Sequence, residues 1–411
     1  MDERIYGLLG RKLGHSWSVP IHAALGNGAY RLIELEPDQL APFLRREDIG
    51  GLNVTIPYKR DVMPLCDAID PAAEAIGSVN TIVRQPDGRL VGYNTDIDGF
   101  RYMARRAGIS LAGKKVVILG SGWESLTAQA AARQEGAAEI IVISRSGPDN
   151  YENLDRHADA QVLVNTTPVG MYPGNGASPV DLAVFPALEG VLDVVYNPLR
   201  TALLLQAEER GLPRSCGLPM LVAQAKRAAE LFTGQNIGDS RTEAVLHGLR
   251  RQLTSIVLIG MPGCGKTTVG RALAGKLGRT FVDLDEEIVR RAGMSIPEIF
   301  AREGEAGFRE RESALVREFG ERTGLVVSTG GGVVTRRENY IPLKQNGLLL
   351  HLRRDPAALP TDGRPLSQAT APEELWRRRA PLYAAFADGE IDNNGTLAGT
   401  LEQIEKEMTK L

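Results

Sequence analysis

Residues 258 to 270, LIGMPGCGKTTVG, place Gly260, Gly263, Gly265, Lys266 and Thr267 at the spacing GxxxxGK[ST], with Cys264 and Thr268 in the same loop. The stretch follows an apolar run and precedes a helical pattern with Val269, Leu273 and Leu277 on one face. Glycines there let successive backbone N–H groups turn toward phosphate oxygens. The lysine reaches the β- and γ-phosphates and the threonine hydroxyl ligates Mg2+. The expected chemistry is phosphoryl transfer or nucleoside triphosphate hydrolysis. Downstream, FVDLDEEI carries Asp283 and Asp285, two apart on an expected strand and so expected to point the same way. One can help hold magnesium while the other receives a hydroxyl proton from an acceptor. Arg309, the triplet Gly330, Gly331 and Gly332, then Arg364, Arg379 and Tyr383 follow in that order, and positioned positive charge is what a transferring phosphoryl group requires.

The first half offers a different chemistry. Ser16 and Ser18 stand two apart in GRKLGHSWSVPIH; Asn53, Thr55 and Lys59 follow in GLNVTIPYK, Asn80 and Thr81 in SVNTI, and Asn94, Thr95 and Asp96 in GYNTDIDGF. Polar side chains at strand ends facing a cleft are the expected cradle for a small hydroxylated ligand in an α/β protein. Gly120, Ser121 and Gly122 form a GxG directly after an apolar run and before a helical pattern, the right place for a dinucleotide pyrophosphate. Arg145, after Ser144, comes 23 residues beyond Gly122, and no acidic residue ends that strand. A 2′-phosphate is favoured over a free ribose hydroxyl, so the expected cofactor is NADP(H).

The elements that must position these residues are legible too. KKVVILG, EIIVISR, QVLVNTTP and VLDVVYNP (114 to 198) read as strands of a parallel sheet buried on both faces, separated by helical patterns. Earlier, RLIELE and GLNVTIP read as strands, and NTIVRQPDGRLVGY reads as a hairpin turning at Pro86-Asp87-Gly88. The strand rhythm restarts with SIVLIG, TFVDLD, GLVVSTGGG and GLLLHLRR. EGEAGFRERESAL has a loop-like character at Ser313. The expected class is α/β: a substrate lobe over 1–98 plus 219–240, a nucleotide lobe over 99–218, a linker over 241–253 that could be helical, and a phosphate-loop domain over 254–411.

The 254–411 set resembles shikimate kinase. The resemblance implies that Asp285 orients and activates the acceptor hydroxyl, that Arg309 and Arg379 grip its carboxylate, and that Gly330 to Gly332 let backbone approach the ring; Arg364 looks like a lid arginine, on a lid shorter than the family's. Residues 1–240, with VNTTPVGMYP, DVVYNPLRTALLLQA and GLPMLVAQAKRAAELFTG, resemble shikimate dehydrogenase, with a two-lobed fold whose nucleotide lobe is Rossmann-like. That resemblance implies Lys59 and Asp96 as the catalytic pair. It also implies Ser16, Ser18, Asn53, Thr55, Asn80, Tyr196 and Gln224 around the substrate, and Met220 near the cofactor. A proton source near the developing alkoxide is what ketone reduction needs beside a hydride donor. Trp123 and Glu124 depart from the family, which has glycine and a small residue there; Trp123 is bulky in a loop that must approach pyrophosphate, and Glu124 puts negative charge near phosphates. Lys12 and Val19 stand where proline is expected, and SRS where NRT is.

Bulk properties bound the partners. The 411 residues carry a net charge of −3 with no long basic run, 43% hydrophobic and 24% charged residues, so no nucleic-acid track is expected. Cys66, Cys216 and Cys264 are scattered without CxxC, and the five histidines form no HxxH pair, so no zinc site or disulfide framework is expected. No leader and no membrane-length apolar run is read, and a cytoplasmic location is expected. The leading expectation is a bifunctional enzyme that reduces 3-dehydroshikimate and phosphorylates shikimate, with NADP(H), ATP and Mg2+ as cofactors. The alternatives are a working kinase joined to a redox-inactive shikimate-binding regulatory module, or to a quinate or polyol dehydrogenase.

Overall fold

A computed structural model describes residues 4–14, 16–359 and 371–411. It has sixteen strands among the described residues: β1 (Ile5–Gly10), β2 (Arg31–Glu34), β3 (Ile49–Val54), β4 (Ala68–Ile69), β5 (Thr81–Arg84), β6 (Leu90–Tyr93), β7 (Lys115–Leu119), β8 (Glu139–Ile143), β9 (Val162–Asn165), β10 (Gly190–Asp193), β11 (Arg214–Ser215), β12 (Ser255–Ile259), β13 (Phe281–Asp283), β14 (Val326–Ser328), β15 (Gly347–Arg353) and β16 (Gly389–Asp392). The helices are α1 (Ser18–Ala24), α2 (Pro37–Leu44), α3 (Pro71–Ile76), α4 (Asp96–Arg106), α5 (Trp123–Gln134), α6 (Ala202–Glu209), α7 (Leu218–Thr233), α8 (Asp239–Leu253), α9 (Lys266–Leu277), α10 (Leu284–Ala292), α11 (Ile296–Gly320), α12 (Tyr340–Lys344), α13 (Pro372–Phe386) and α14 (Leu397–Met408).

The chain divides into two compact units. One comprises Met1–Pro168, Pro179–Tyr196 and Gln206–Leu246; the other comprises Val169–Ser178, Asn197–Leu205 and His247–Leu411. In the first, a six-stranded sheet runs β2-β1-β3-β5-β6-β4, and β5 and β6 form the hairpin across Pro86 to Gly88. A five-stranded sheet, β11-β10-β9-β7-β8, is parallel throughout. Val116 to Leu119 are fully buried, which is why that strand reads as an unbroken apolar run: helices cover both faces. Helix α4 leaves β6 by the Asn94-Thr95-Asp96 turn and crosses α7 closely at Gly99, where a Cβ would lie 2.5 Å from the Met220 carbonyl. This crossing packs the first turns of α4, which Asp96 opens, against Met220 and Gln224 of α7.

In the second unit the sheet order is β13-β14-β12-β15-β16, again all parallel. Its phosphate loop joins β12 to α9. The two segments Val169–Ser178 and Asn197–Leu205 complete this unit: the Arg200 guanidinium donates to the Lys344 carbonyl at 2.9 Å and pairs with Asp388 at 3.0 Å. The stretch 241–253, read as a linker, is helical within α8. Ser313, read as loop-like, is buried inside α11, a helix that carries one break at Gly304, with φ +70°. Among the described residues no helix is long and apolar enough to cross a membrane.

Candidate active sites

The phosphate loop takes its shape from three glycines in the left-handed region, Gly260, Gly263 and Gly265, with φ of +145°, +80° and +100°. L-residues with a Cβ rarely adopt these angles. At Gly260 a Cβ would also lie 2.5 Å from the Leu352 carbonyl of the neighbouring strand. The loop ends on Lys266, the first residue of α9, which is 7% exposed and donates to the Gly260 and Met261 carbonyls at 2.9 Å each. Thr267 Oγ1 donates to Asp283 Oδ2 at 2.7 Å. Thr268 and Gly263 line the cavity above the loop, about 370 Å³ in volume, whereas the Cys264 side chain is buried beneath it.

Asp283 and Asp285 are not two positions of one strand. Asp283 ends β13 and caps α10, accepting from the Asp285 N–H at 3.0 Å and the Glu286 N–H at 3.3 Å. Aspartate is a strong N-cap, and the cap stops the strand where alternation predicts that it continues. Both carboxylates still line the cavity, Asp285 from the first turn of α10. Burial, then the like charges of Glu312 and Asp283, push the Asp285 carboxyl up to about 6, and its Oδ1 is buried with no partner among the described residues. A buried carboxylate with a raised pKa at the edge of the cavity is the kind of group that can take up a hydroxyl proton.

Two nearly buried arginines line the same cavity, Arg309 from α11 and Arg379 from α13, each 5% exposed. Arg309 is held by Glu312 at 2.7 Å, one turn along the helix, and Arg379 by the Gly331 carbonyl at 3.0 Å. Tyr383 also donates to that carbonyl, at 2.5 Å. The glycine triplet has a reason beyond approach to a ring. A Cβ on Gly332 would lie 2.0 Å from Arg309 Nη2, one on Gly330 2.3 Å from Glu312 Oε1, and one on Gly331 2.5 Å from Pro262. The missing side chains are the space in which the charged groups sit. Glu312 escapes motif reading, although its position three residues after Arg309 is the spacing of a helical ion pair. Arg364 lies outside the described residues.

In the first unit, Lys59 and Asp96 form a buried ion pair, Nζ to Oδ2 2.7 Å, at 8% and 4% exposure. Beside it runs a continuous polar network. Asn80 Nδ2 donates to Thr95 Oγ1 at 3.1 Å and to Gln224 Oε1 at 3.2 Å, and the Thr95 N–H donates to Asn80 Oδ1 at 2.7 Å. Asn53 Nδ2 donates to Thr81 Oγ1 at 3.1 Å, while Asn53 Oδ1 accepts from Tyr30 OH at 2.8 Å. His22 stacks on Tyr30 with 3.8 Å between ring centroids, and burial lowers its pKa to about 4, so it stands neutral behind Asn53. Ser16 and Ser18 bond to each other at 3.1 Å, Ser18 opening α1. Thr55 hydrogen-bonds through its N–H to the Leu9 carbonyl just past the end of β3. Tyr196 lies three residues beyond β10, partly buried.

The turn expected to take the dinucleotide joins β7 to α5. Gly120 has φ +103° and packs against Thr166, Ser121 is exposed, and Gly122 caps α5. Ser144 and Arg145 follow β8, with Arg145 exposed. Met220 lies in α7, 5% exposed, in the core cluster with Ile97, Phe100 and Ala128. Trp123 and Glu124 each have a partner on the substrate lobe: the Arg60 guanidinium lies 4.3 Å from the centroid of a Trp123 ring, and Glu124 Oε1 lies 3.5 Å from Lys59 Nζ.

Comparison with known proteins assigns each half of the chain to a family. The shikimate dehydrogenase substrate binding domain profile matches residues 8–82, and the shikimate kinase profile matches residues 262–409. The shikimate dehydrogenase (NADP(+)) of Clostridium perfringens strain SM101 is 35% identical over 268 residues, covering 60% of this chain and 98% of that one. A chorismate mutase/shikimate 5-dehydrogenase fusion protein from Clostridium acetobutylicum superposes with a TM-score of 0.58 at 33% identity, over 61% of this chain and 98% of its own. The shikimate 5-dehydrogenase of Thermus thermophilus, solved with NADP(H) and shikimate, gives 0.54 at 32% identity, over 60% and 99%. The chain belongs to the shikimate dehydrogenase family and continues into a shikimate kinase domain, making it a bifunctional enzyme of the shikimate pathway.

Proposed function

We propose that the first site reduces 3-dehydroshikimate to shikimate with NADPH, and that the second phosphorylates the 3-hydroxyl of shikimate with MgATP. The observation that carries this reading is the pairing, in one chain, of a buried Lys59–Asp96 acid beside a hydroxyl-and-amide cleft with a phosphate loop facing the Arg309 and Arg379 guanidiniums. The domain bounds proposed are 1–98 plus 219–240 for the substrate lobe, 99–218 for the NADP lobe, 241–253 for the connection and 254–411 for the kinase.

The residues present suit both cofactors. A Cβ added at Gly122 would meet open space, which leaves room at the start of α5 for a pyrophosphate, and the exposed Arg145 suits a 2′-phosphate. The curled glycine loop and Lys266 suit the phosphates of ATP, and the Thr267–Asp283 pair suits Mg2+. Bound, NADPH supplies the hydride and MgATP the phosphoryl group. Lys59 gives its proton to the substrate oxygen as that oxygen gains charge, and Asp96 keeps the ammonium aimed. Asn80, Gln224, Asn53, Thr55 and the two serines hold ring hydroxyls and carboxylate, with Tyr196 near them. Asp285 accepts the acceptor's hydroxyl proton, Arg309 and Arg379 clamp its carboxylate, and Arg364 closes on the phosphates.

Incubating the chain with 3-dehydroshikimate, NADPH and MgATP should consume NADPH and release shikimate 3-phosphate in sequence. Withholding Mg2+ should stop the second step and leave the first at full rate; NADPH consumption that depends on Mg2+, or that is faster with 3-dehydroquinate than with 3-dehydroshikimate, would contradict the assignment. Gly332→Ala supplies a sharper test of the acceptor clamp. Its Cβ would overlap Arg309, which Glu312 holds in place, so KM for shikimate should rise about 10- to 100-fold, the worth of one charged hydrogen-bonded contact. Initial rates against shikimate at saturating MgATP read this directly, and an unchanged KM would remove Arg309 from the carboxylate.

A further inference from the structure

The two residues that break the family pattern, Trp123 and Glu124, meet two consecutive residues of the substrate lobe. Trp123 is the first residue of α5 and Glu124 the second. The Arg60 guanidinium stacks 4.3 Å from the centroid of a Trp123 ring, and Lys59 Nζ lies 3.5 Å from Glu124 Oε1. The catalytic ammonium is therefore faced by a carboxylate from each lobe: Asp96 of α4 at 2.7 Å and Glu124 of α5 at 3.5 Å. Among the described residues these are the charged groups that face Nζ, since Arg60, beside it in the chain, is turned onto the indole.

We infer that Glu124 is a second positioning residue for the dehydrogenase acid: steadied by the Arg60–Trp123 stack, it shares the Lys59 ammonium with Asp96 and keeps it charged to higher pH than Asp96 alone would. The inference rests on the reading of Lys59 as proton donor. A positioned residue can act this way because two carboxylates around one buried ammonium disfavour its neutral form more than one does. Burial opposes the charge of Lys59, and Asp96 and then Glu124 outweigh it, so the lysine is held above its ordinary range. Burial, offset in part by Lys59 and reinforced by Asp96, raises Glu124 in turn, and its Oε2 is buried without a hydrogen-bond partner. The same geometry removes the obstacle expected from the sequence. A carboxylate paired with Lys59 is partly neutralised before a pyrophosphate arrives, and the indole is engaged by Arg60.

The test is the ionisation of Lys59 read without turnover. Competitive acetylation with acetic anhydride across pH 8 to 12, with Lys59 scored by mass spectrometry against the exposed Lys410 in the same chain, gives a pKa whatever the reagent's access. Glu124→Gln, close in shape, should lower the Lys59 value by about one unit or more, and the alkaline limb of kcat/KM for reduction should move down with it. Trp123→Ala should shift both in the same direction by less. An unchanged Lys59 titration in Glu124→Gln, with melting temperature preserved, would overturn the inference. A Lys59 titration that moves while the rate limb stays fixed would instead locate the failure in the reading of Lys59 as the acid.

Discussion

Lys59→Ala should reduce 3-dehydroshikimate about 10²- to 10⁴-fold more slowly than the parent chain, the usual worth of a positioned general acid, while shikimate phosphorylation in the same preparation proceeds at its normal rate. The stability readout matters as much as the rate. Lys59 and Asp96 are both nearly buried, so removing the ammonium leaves Asp96 facing Glu124 without a counter-charge, and a loss of about 3 to 5 kcal/mol is expected. A slow variant could then be merely an unfolded one. Lys59→Met with Asp96→Asn removes both charges, keeps much of the volume and should recover part of that stability, yet remain as slow as Lys59→Ala. Reduction at the parent rate in a folded Lys59→Ala chain would take that lysine out of the mechanism. The kinase rate is the internal control, because Lys266, Asp285, Arg309 and Arg379 all belong to the other compact unit.

The residues that sequence reading recovers are those whose signal is local. The phosphate loop is legible because glycine, lysine and threonine stand within eight positions of one another and each is demanded by the same anion. The strand β7 is legible because burial on both faces leaves an unbroken apolar run. Asp285 is harder: its type is right, but the cap made by Asp283 turns the chain into α10, and alternation cannot see a side chain accepting two backbone N–H groups. Ser313 misleads for a similar reason, since its hydroxyl suggests a turn while helix packing buries it. Glu312 needs the helix before its spacing to Arg309 means anything. Glu124 and Lys59 are 65 residues apart in the chain, and their meeting depends on how two lobes approach. Nothing in either segment marks the other as its partner, so Trp123 and Glu124 read as defects of a nucleotide turn until Arg60 and Lys59 are seen opposite them.

Lys266→Ala carries the other large effect: phosphoryl transfer should fall about 10²- to 10³-fold, the cost of removing one preorganised charge from a developing transition state, with reduction of 3-dehydroshikimate untouched. The loop geometry explains why a neutral side chain cannot take its place. The ammonium donates to the Gly260 and Met261 carbonyls while 7% exposed, so it both supplies charge to the cavity and ties the start of the loop to its end. Lys266→Ala removes both, and ATP affinity should fall together with turnover. Lys266→Met separates the two contributions, since it keeps the stem and the packing against the loop but loses the donors; a chain that binds ATP nearly as well yet fails to transfer would assign the lysine chiefly to the transition state. Lys266→Arg keeps the charge, but a planar guanidinium cannot make the point contact that two converging carbonyls and a phosphate oxygen ask of a compact ammonium, so it should recover little turnover. Full phosphorylation by Lys266→Ala, measured as shikimate 3-phosphate formed from added shikimate and MgATP, would mean that the glycine loop holds the nucleotide through its backbone alone.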